Sequence, residues 1–334
     1  MTASAPRDGG TRPPDARQRT IADRRPWLRF ALGLVLLASA AWIWVSSAGV
    51  LLSDHPAYAV LVTAAAVVGT LLLLSATSTW RRVRPPRAAW RRALAGTCAV
   101  LATLAVVGSL LWLRPFSAAP VALDAMSGTA DVRVTSSTTV ITLLPTGVAP
   151  RAGLVFQPGA RVDARAYVPL LTRVSRAGYL VVIVKQPLDI AFTAIDAPSG
   201  IIDDHPEISA WAVGGHSLGG VAASSYAAAH PEEVGGLLLW ASYPPDSLAD
   251  RDDLRAASVS GTLDGLATPD DLAASRADLP PDTAITQVEG GIHAFFGDYG
   301  DQPGDGTPTV SRAAAQDQVV GASIALLDSL GSGR

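Results

Sequence analysis

The stretch Ala210-Trp-Ala-Val-Gly-Gly-His-Ser-Leu-Gly-Gly-Val-Ala-Ala223 decides how the rest of the chain is read. A short apolar run passes through Gly215-His216-Ser217-Leu218-Gly219 into a helical pattern lasting to about His230, where Pro231 is placed to follow its end. A serine on a strand-to-helix turn takes a cramped backbone conformation, so the residues two before and two after it must be small. Both are glycine here. The pentapeptide alone also arises in structural glycine-rich turns; the strand before and the helix after make it a nucleophile elbow.

Outward from the elbow, strands and helices alternate. Val132-Arg-Val-Thr135 and Thr138 to Leu144 form a β-rich pair, and Gly153 to Phe156 a strand. Ala164 to Ala177 is a helix with Tyr167, Leu170, Leu171 and Val174 on one face, and Tyr179 to Val184 a strand buried on both faces. Strands follow at Gly236 to Trp240, Ala257 to Gly261 and Ala284 to Val288. Helices lie at Pro269 to Ala277, opened by Thr268-Pro269, and at Ser311 to Leu330. Strands separated by helices imply right-handed crossovers and a mostly parallel sheet with helices on both faces, an α/β fold. Trp211 and Trp240 read as sheet core.

With the elbow at its centre, the chain from Val132 to Leu330 resembles the α/β-hydrolase superfamily; the amino-terminal third lies outside the resemblance. The resemblance implies an α/β-hydrolase fold with the first strand pair antiparallel, and Ser217 as nucleophile. A serine hydroxyl needs a base in hydrogen-bond reach and a third group to hold that base's tautomer, and the family's chain order is Ser, Asp or Glu, His. His55 lies in the amino-terminal third, His205 precedes the serine, His216 sits inside the elbow and His230 ends its helix. His293 remains, in Glu289-Gly-Gly-Ile-His-Ala-Phe-Phe-Gly297 beyond the last strand, where the family keeps its base. Gly261-Thr-Leu-Asp264 resembles the family's Gly-x-x-Asp segment, which makes Asp264 the acid. Asp270 and Asp271 compete, but the first turn of a helix favours carboxylates through its dipole alone.

Two backbone N–H groups are expected to form the oxyanion hole: that of Leu218, and that of Ala160 in Phe156-Gln-Pro-Gly-Ala160, with Gly159 the fallback. Pro158 has no N–H. The spacings along Ser217, Asp264 and His293 are similar to those of the dienelactone-hydrolase branch, which carries a cysteine where this chain has Ser217. The resemblance implies cleavage of a carboxylic ester through an acyl-enzyme. An envelope acyltransferase would share the triad, and an inactive hydrolase-fold binding module would be expected to have lost part of it. Lidded relatives insert a cap between the strands that end at Trp240 and begin at Ala257; here Ala241 to Ala256 is one short polar stretch, so no cap domain, a shallow site and a preference for short acyl groups are expected.

Composition separates the amino-terminal third. The chain has 334 residues, 49% hydrophobic and 16% charged, with mean hydropathy +0.29, and the excess is local. Three uncharged stretches, about 30–52, 57–76 and 93–113, each approach the ~20 residues that cross a hydrocarbon core as helix. The first is too long for a signal-peptide core, and two more follow. The tail holds Arg7, Arg12, Arg17, Arg19, Arg24, Arg25 and Arg29, and the second loop Arg81, Arg82, Arg84, Arg87, Arg91 and Arg92; Ser53-Asp-His-Pro56 has no Lys or Arg. By the positive-inside rule the tail is cytoplasmic and everything after Arg114 is extracytoplasmic in a multi-pass protein of the cell membrane. The expected organisation is a disordered tail (1–26), a three-helix anchor (27–114), a linker (115–131) reaching about 25 Å as a flexible chain, and the hydrolase domain (132–334).

From residue 115 on, 12 Lys and Arg face 25 Asp and Glu; before it, 14 face 4. So acidic an outer domain argues against a nucleic-acid partner. The expected partners are the lipid bilayer and an ester substrate, small or envelope-borne; oligomeric state is left open. Cys98, the only cysteine, falls in the third span, so no intrachain disulfide can form. Lys185, the only lysine, ends a strand near the active edge, where it is either a substrate-anion contact or a snorkelling surface lysine. Asp298, Asp301 and Asp305 do not fit a calcium-loop spacing and read as a solvated loop. No metal or cofactor motif is present, and none is inferred.

Overall fold

The computed structural model describes residues 26–77 and 89–331. The amino-terminal tail and Arg81, Arg82, Arg84 and Arg87 lie outside the described residues. From Val132 on, eight strands form one sheet: β1 (Val132–Ser136), β2 (Val140–Pro145), β3 (Gly153–Gln157), β4 (Leu180–Val184), β5 (Trp211–His216), β6 (Gly236–Trp240), β7 (Arg255–Gly261) and β8 (Ala284–Val288). Their order is β1-β2-β4-β3-β5-β6-β7-β8. β2 runs antiparallel to both neighbours, and β4 to β8 are parallel.

Alternation along the strands explains the layers. Leu154, Phe156, Val181 and Ile183 point into one core, shared with α5 (Val168–Arg176) and α9 (Arg312–Gly331). Val155, Leu180, Val182 and Val184 point into the other, under α6 (Ala197–Asp203) and α7 (Leu218–Ala229). Trp240 and Trp211 are buried, one in each core. The short helix α8 (Pro269–Ala274) is opened by a capping box between Thr268 and Asp271. Ala241 to Leu254 carries no helix or strand, so no cap domain stands there.

Helices α1 (Pro26–Ser53), α2 (Pro56–Thr77) and α3 (Ala89–Trp112) are long and apolar enough to cross a membrane. α1 and α2 pack through glycines: a Cβ on Gly33 would lie 2.6 Å from the Gly69 carbonyl oxygen, and one on Gly69 2.8 Å from that of Gly33. Small residues let helix backbones approach this closely.

The stretch expected to be a flexible linker is built into the fold. It holds α4 (Pro120–Ala125), which buries Ala122, with proline at the first turn where no N–H is needed. Phe116 bridges to Val162 and Ala118 to Tyr299. The Ala118 N–H donates to Asp163 Oδ2 at 3.1 Å. Arg161 donates from Nη1 to the Trp112 carbonyl at 2.5 Å, and its guanidinium lies over the rings of Trp112 and Phe116.

The α1–α2 turn is gripped as well. Asp54 accepts from the Ala164 N–H at 3.3 Å, and its carboxyl group hydrogen-bonds that of Asp189. Burial first, then nearby carboxylates, raises the pKa of both; two buried carboxyls in contact are best satisfied by sharing one proton. Lys185 is neither of the expected things. It is 2% exposed, and its ammonium donates to Ser53 O at 2.5 Å, Ser137 O at 2.6 Å and Ser136 Oγ at 2.8 Å. Burying a cation costs several kcal/mol, and three charge-assisted hydrogen bonds, each worth about 1.5–3 kcal/mol, offset it.

Lys185→Met should therefore cost about 2 kcal/mol, because it removes three charge-assisted hydrogen bonds made by a buried ammonium. The check is the thermal unfolding midpoint of the full chain in detergent, with Arg173→Met, an exposed pair with Asp317, expected to change little.

Candidate active site

Ser217 lies at the carboxyl end of β5 with φ 52° and ψ −123°, a conformation costing a non-glycine residue about 1–3 kcal/mol. Its neighbours hold it there. Its N–H donates to Trp240 O at 2.9 Å, and its carbonyl accepts from Gly220 N at 3.0 Å and Ser242 Oγ at 2.7 Å. The flanking glycines are demanded by space: a Cβ on Gly219 would lie 2.0 Å from Gln157 O, and one on Gly215 2.5 Å from the same atom.

Asp264 and His293 are brought together. His293 Nδ1 and Asp264 Oδ2 are 2.8 Å apart, both side chains fully buried. Asp264 Oδ1 accepts from the N–H groups of Leu266 and Ala267, each at 2.8 Å, so the carboxylate is held at both oxygens. With its Nδ1 proton directed at Asp264, the neutral ring presents Nε2 as an acceptor. That atom is buried and has no protein partner. Of the competing carboxylates, Asp271 is used in the capping box of α8.

The amides of the β3 turn are sorted by their partners. Gly159 N–H is taken by the Tyr167 hydroxyl at 2.9 Å, Arg161 N–H by Asp189 O and Val162 N–H by Gly159 O. The N–H groups of Ala160 and Leu218 have no protein acceptor among the described residues. Gly159, the fallback, is thus engaged elsewhere.

Two residues with roles at the site escaped the sequence reading. Asp305, placed there in a solvated loop, accepts from Gly265 N, His293 N and Gly306 N through Oδ1 and from Ala294 N through Oδ2. It ties the loop of Asp264 to that of His293. His216 is the second. Tyr167 Oη accepts from Gly159, so it donates its own proton to His216 Nδ1 at 2.9 Å. The His216 proton then sits on Nε2, buried and without a protein partner. Its ring stacks on Phe296 and lies 4.4 Å, centroid to centroid, from that of His293.

The other histidines are engaged elsewhere: His205 faces Glu207, and His230 faces Glu233. Asp298 is buried and accepts from Gln316, apart from Asp305's amide cluster. Among the described residues, one group of His, Asp and Glu brings its ligand atoms together, His230, Glu232 and Glu233. It stands at the far end of the 12-residue α7, about 18 Å from Ser217.

The family model described as the alpha/beta hydrolase family matches residues 153–317, from β3 into α9, and the sheet with its elbow has the α/β-hydrolase fold. Among solved structures, one assigned as a dienelactone hydrolase from Klebsiella pneumoniae subsp. pneumoniae MGH 78578 is similar at 15% identity and TM-score 0.44, over 58% of this chain and 94% of that one. A CIB-like hydrolase from Thermoplasma acidophilum is similar at 15% identity and TM-score 0.46, over 60% of this chain and all of that one. No curated protein matches the chain in sequence.

Burial, then the neighbouring His293, holds the His216 pKa well below 6.5. A group depressed in the folded state takes up protons only on unfolding, so stability should fall as pH drops below about 6.5. Nitrogen NMR should find His216 neutral with its proton on Nε2 at pH 6, and the loss of unfolding midpoint from pH 7 to pH 5 should be smaller in His216→Gln.

Proposed function

We propose that this chain is a membrane-anchored serine hydrolase that cleaves carboxylic esters through an acyl-enzyme. The observation that carries the reading is the buried Asp264–His293 hydrogen bond with Nε2 left unpaired, together with a serine held at positive φ on the strand-to-helix turn. Ser217 Oγ attacks the ester carbonyl carbon while its proton passes to His293 Nε2. The developing imidazolium is stabilised by Asp264, and the oxyanion accepts from the N–H groups of Ala160 and Leu218. Collapse expels the alcohol, protonated by His293. Water then repeats the sequence at the acyl carbon, releasing the acid and restoring Ser217.

The anchor comprises residues 27–114, with α1 to α3 crossing the cell membrane. The domain from 132 to 334 stands outside the cytoplasm, as the arginine distribution requires. Fusions after Leu330 test this: phosphatase should be active and a fluorescent protein that folds only in the cytoplasm dark. The opposite pair of results would reverse the orientation.

Ser217→Ala should abolish aryl-ester turnover and labelling by a fluorophosphonate, with the unfolding midpoint retained. His293→Ala should lose about as much turnover as the serine variant, since triad members act as a unit. Covalent label persisting on the Ser217→Ala protein would remove the serine assignment, and a comparable loss in His205→Ala or His230→Ala would move the base.

A further inference from the structure

In a parallel sheet every loop at the carboxyl edge lies on one side, and the nucleophile stands on that side after β5. The anchor docks on the same edge. Its contacts fall on Arg161 and Ala164 after β3 and on Lys185 and Asp189 after β4, and the segment that follows it meets Tyr299 after β8 through Ala118. On the anchor side the contacts come from Ser53, Asp54 and Trp112, the ends of α1 and α3 and the turn into α2. Those are the points at which the chain leaves the apolar spans. A span end tied to an edge by several hydrogen bonds at once sets that edge against the membrane surface.

The rest of the edge carries large apolar side chains that the protein leaves uncovered: Phe192 after β4 at 50% exposure, Tyr243 after β6 at 37%, and Leu263 after β7 at 39%. They belong to three different loops around the elbow. Between β6 and β7 the site has no cap domain that would shelter an acyl chain.

The geometry points to a bilayer surface as the partner of this edge and to an ester carried by a membrane amphiphile as the substrate, its ester group at headgroup level and its chain left in the lipid. This rests on the serine-hydrolase reading and supplies its substrate class. Phe192, Tyr243 and Leu263 are the side chains that would enter the interface, and the bilayer takes the place of a cap.

The test uses the full chain in phosphatidylcholine nanodiscs and has two arms. In the first, Cys98→Ser protein carries a nitroxide on Phe192→Cys, on Leu263→Cys, or on Val148→Cys, an exposed residue in the β2–β3 loop at the opposite edge. Labels at 192 and 263 should be reached by oxygen in preference to a nickel chelate, and the label at 148 by both as in water. In the second arm, the triple variant Phe192→Ser, Tyr243→Ser, Leu263→Ser should lose tenfold or more of its rate on p-nitrophenyl palmitate dissolved in the nanodisc, and stay within twofold on p-nitrophenyl acetate. Water-like accessibility at 192 and 263, or equal effects on the two esters, would overturn the proposal. Absence of acetate turnover in the unmodified chain would instead overturn the hydrolase reading, and the accessibility arm would still decide whether the edge meets lipid.

Discussion

The approach of Gly219 to the carbonyl oxygens of Gln157 and Pro158 is the contact on which the site depends. A Cβ there would stand 2.0 Å from the first oxygen and 2.4 Å from the second, so no side chain can intervene between the start of α7 and the turn after β3. With the two backbones in contact, the turn that carries Ala160 lies against the start of α7, where Leu218 follows the serine. Tyr167 then fastens the turn by taking the Gly159 N–H, and passes its own proton to His216. The strain in Ser217 persists because the hydrogen bonds to Trp240 O and from Ser242 Oγ over-determine its position.

The anchor enters the same network one residue further on. Arg161 follows Ala160 and itself has φ 58°. Its N–H is fixed by Asp189, whose carboxyl meets Asp54, and its guanidinium by the last carbonyl of α3. The amino-terminal helices therefore brace the turn that carries Ala160 through Arg161 and Asp189. Cutting the chain before Val132 would leave Lys185 without one of its three acceptors and Asp189 without its carboxyl partner, in surroundings that penalise each loss. The sheet domain and the helices are one construction, joined where Arg161, Lys185 and Asp189 meet Trp112, Ser53 and Asp54.

The fold was largely legible because its signals are local. The five-residue apolar run of β4, the glycines at 215 and 219 and the Thr268-Pro269 helix start each report a backbone requirement at their own position. Asp264 and His293 were found through chain order and place relative to strands, which the family resemblance supplied. What stayed hidden is what depends on distant partners. Asp305 looks like any aspartate in a glycine-rich loop until four amides converge on it, and Lys185 looks like a surface lysine until Ser53, 132 residues away, arrives over it. The segment 115–131 lacks periodicity long enough to announce a helix. Its order comes from burial of Ala122 and from two bridges to loops far along the chain.

Hydrophobic arithmetic supports the proposal that a site without a cap works at a membrane. Moving a chain of about ten methylenes out of lipid into water costs on the order of 8 kcal/mol, at ~0.8 kcal/mol each, and only an apolar tunnel of matching length recovers it. The polar stretch from Ala241 to Leu254 builds no such tunnel. A free-standing enzyme with this site would be confined to short acyl groups, whose transfer costs about 1–3 kcal/mol in all. Clamped to its anchor, the same site can leave the chain where it already lies and take only the ester group, so no extraction cost arises. On the proposed function, rigid docking of the carboxyl edge, rather than a pocket in the domain, would widen the range of esters Ser217 can reach.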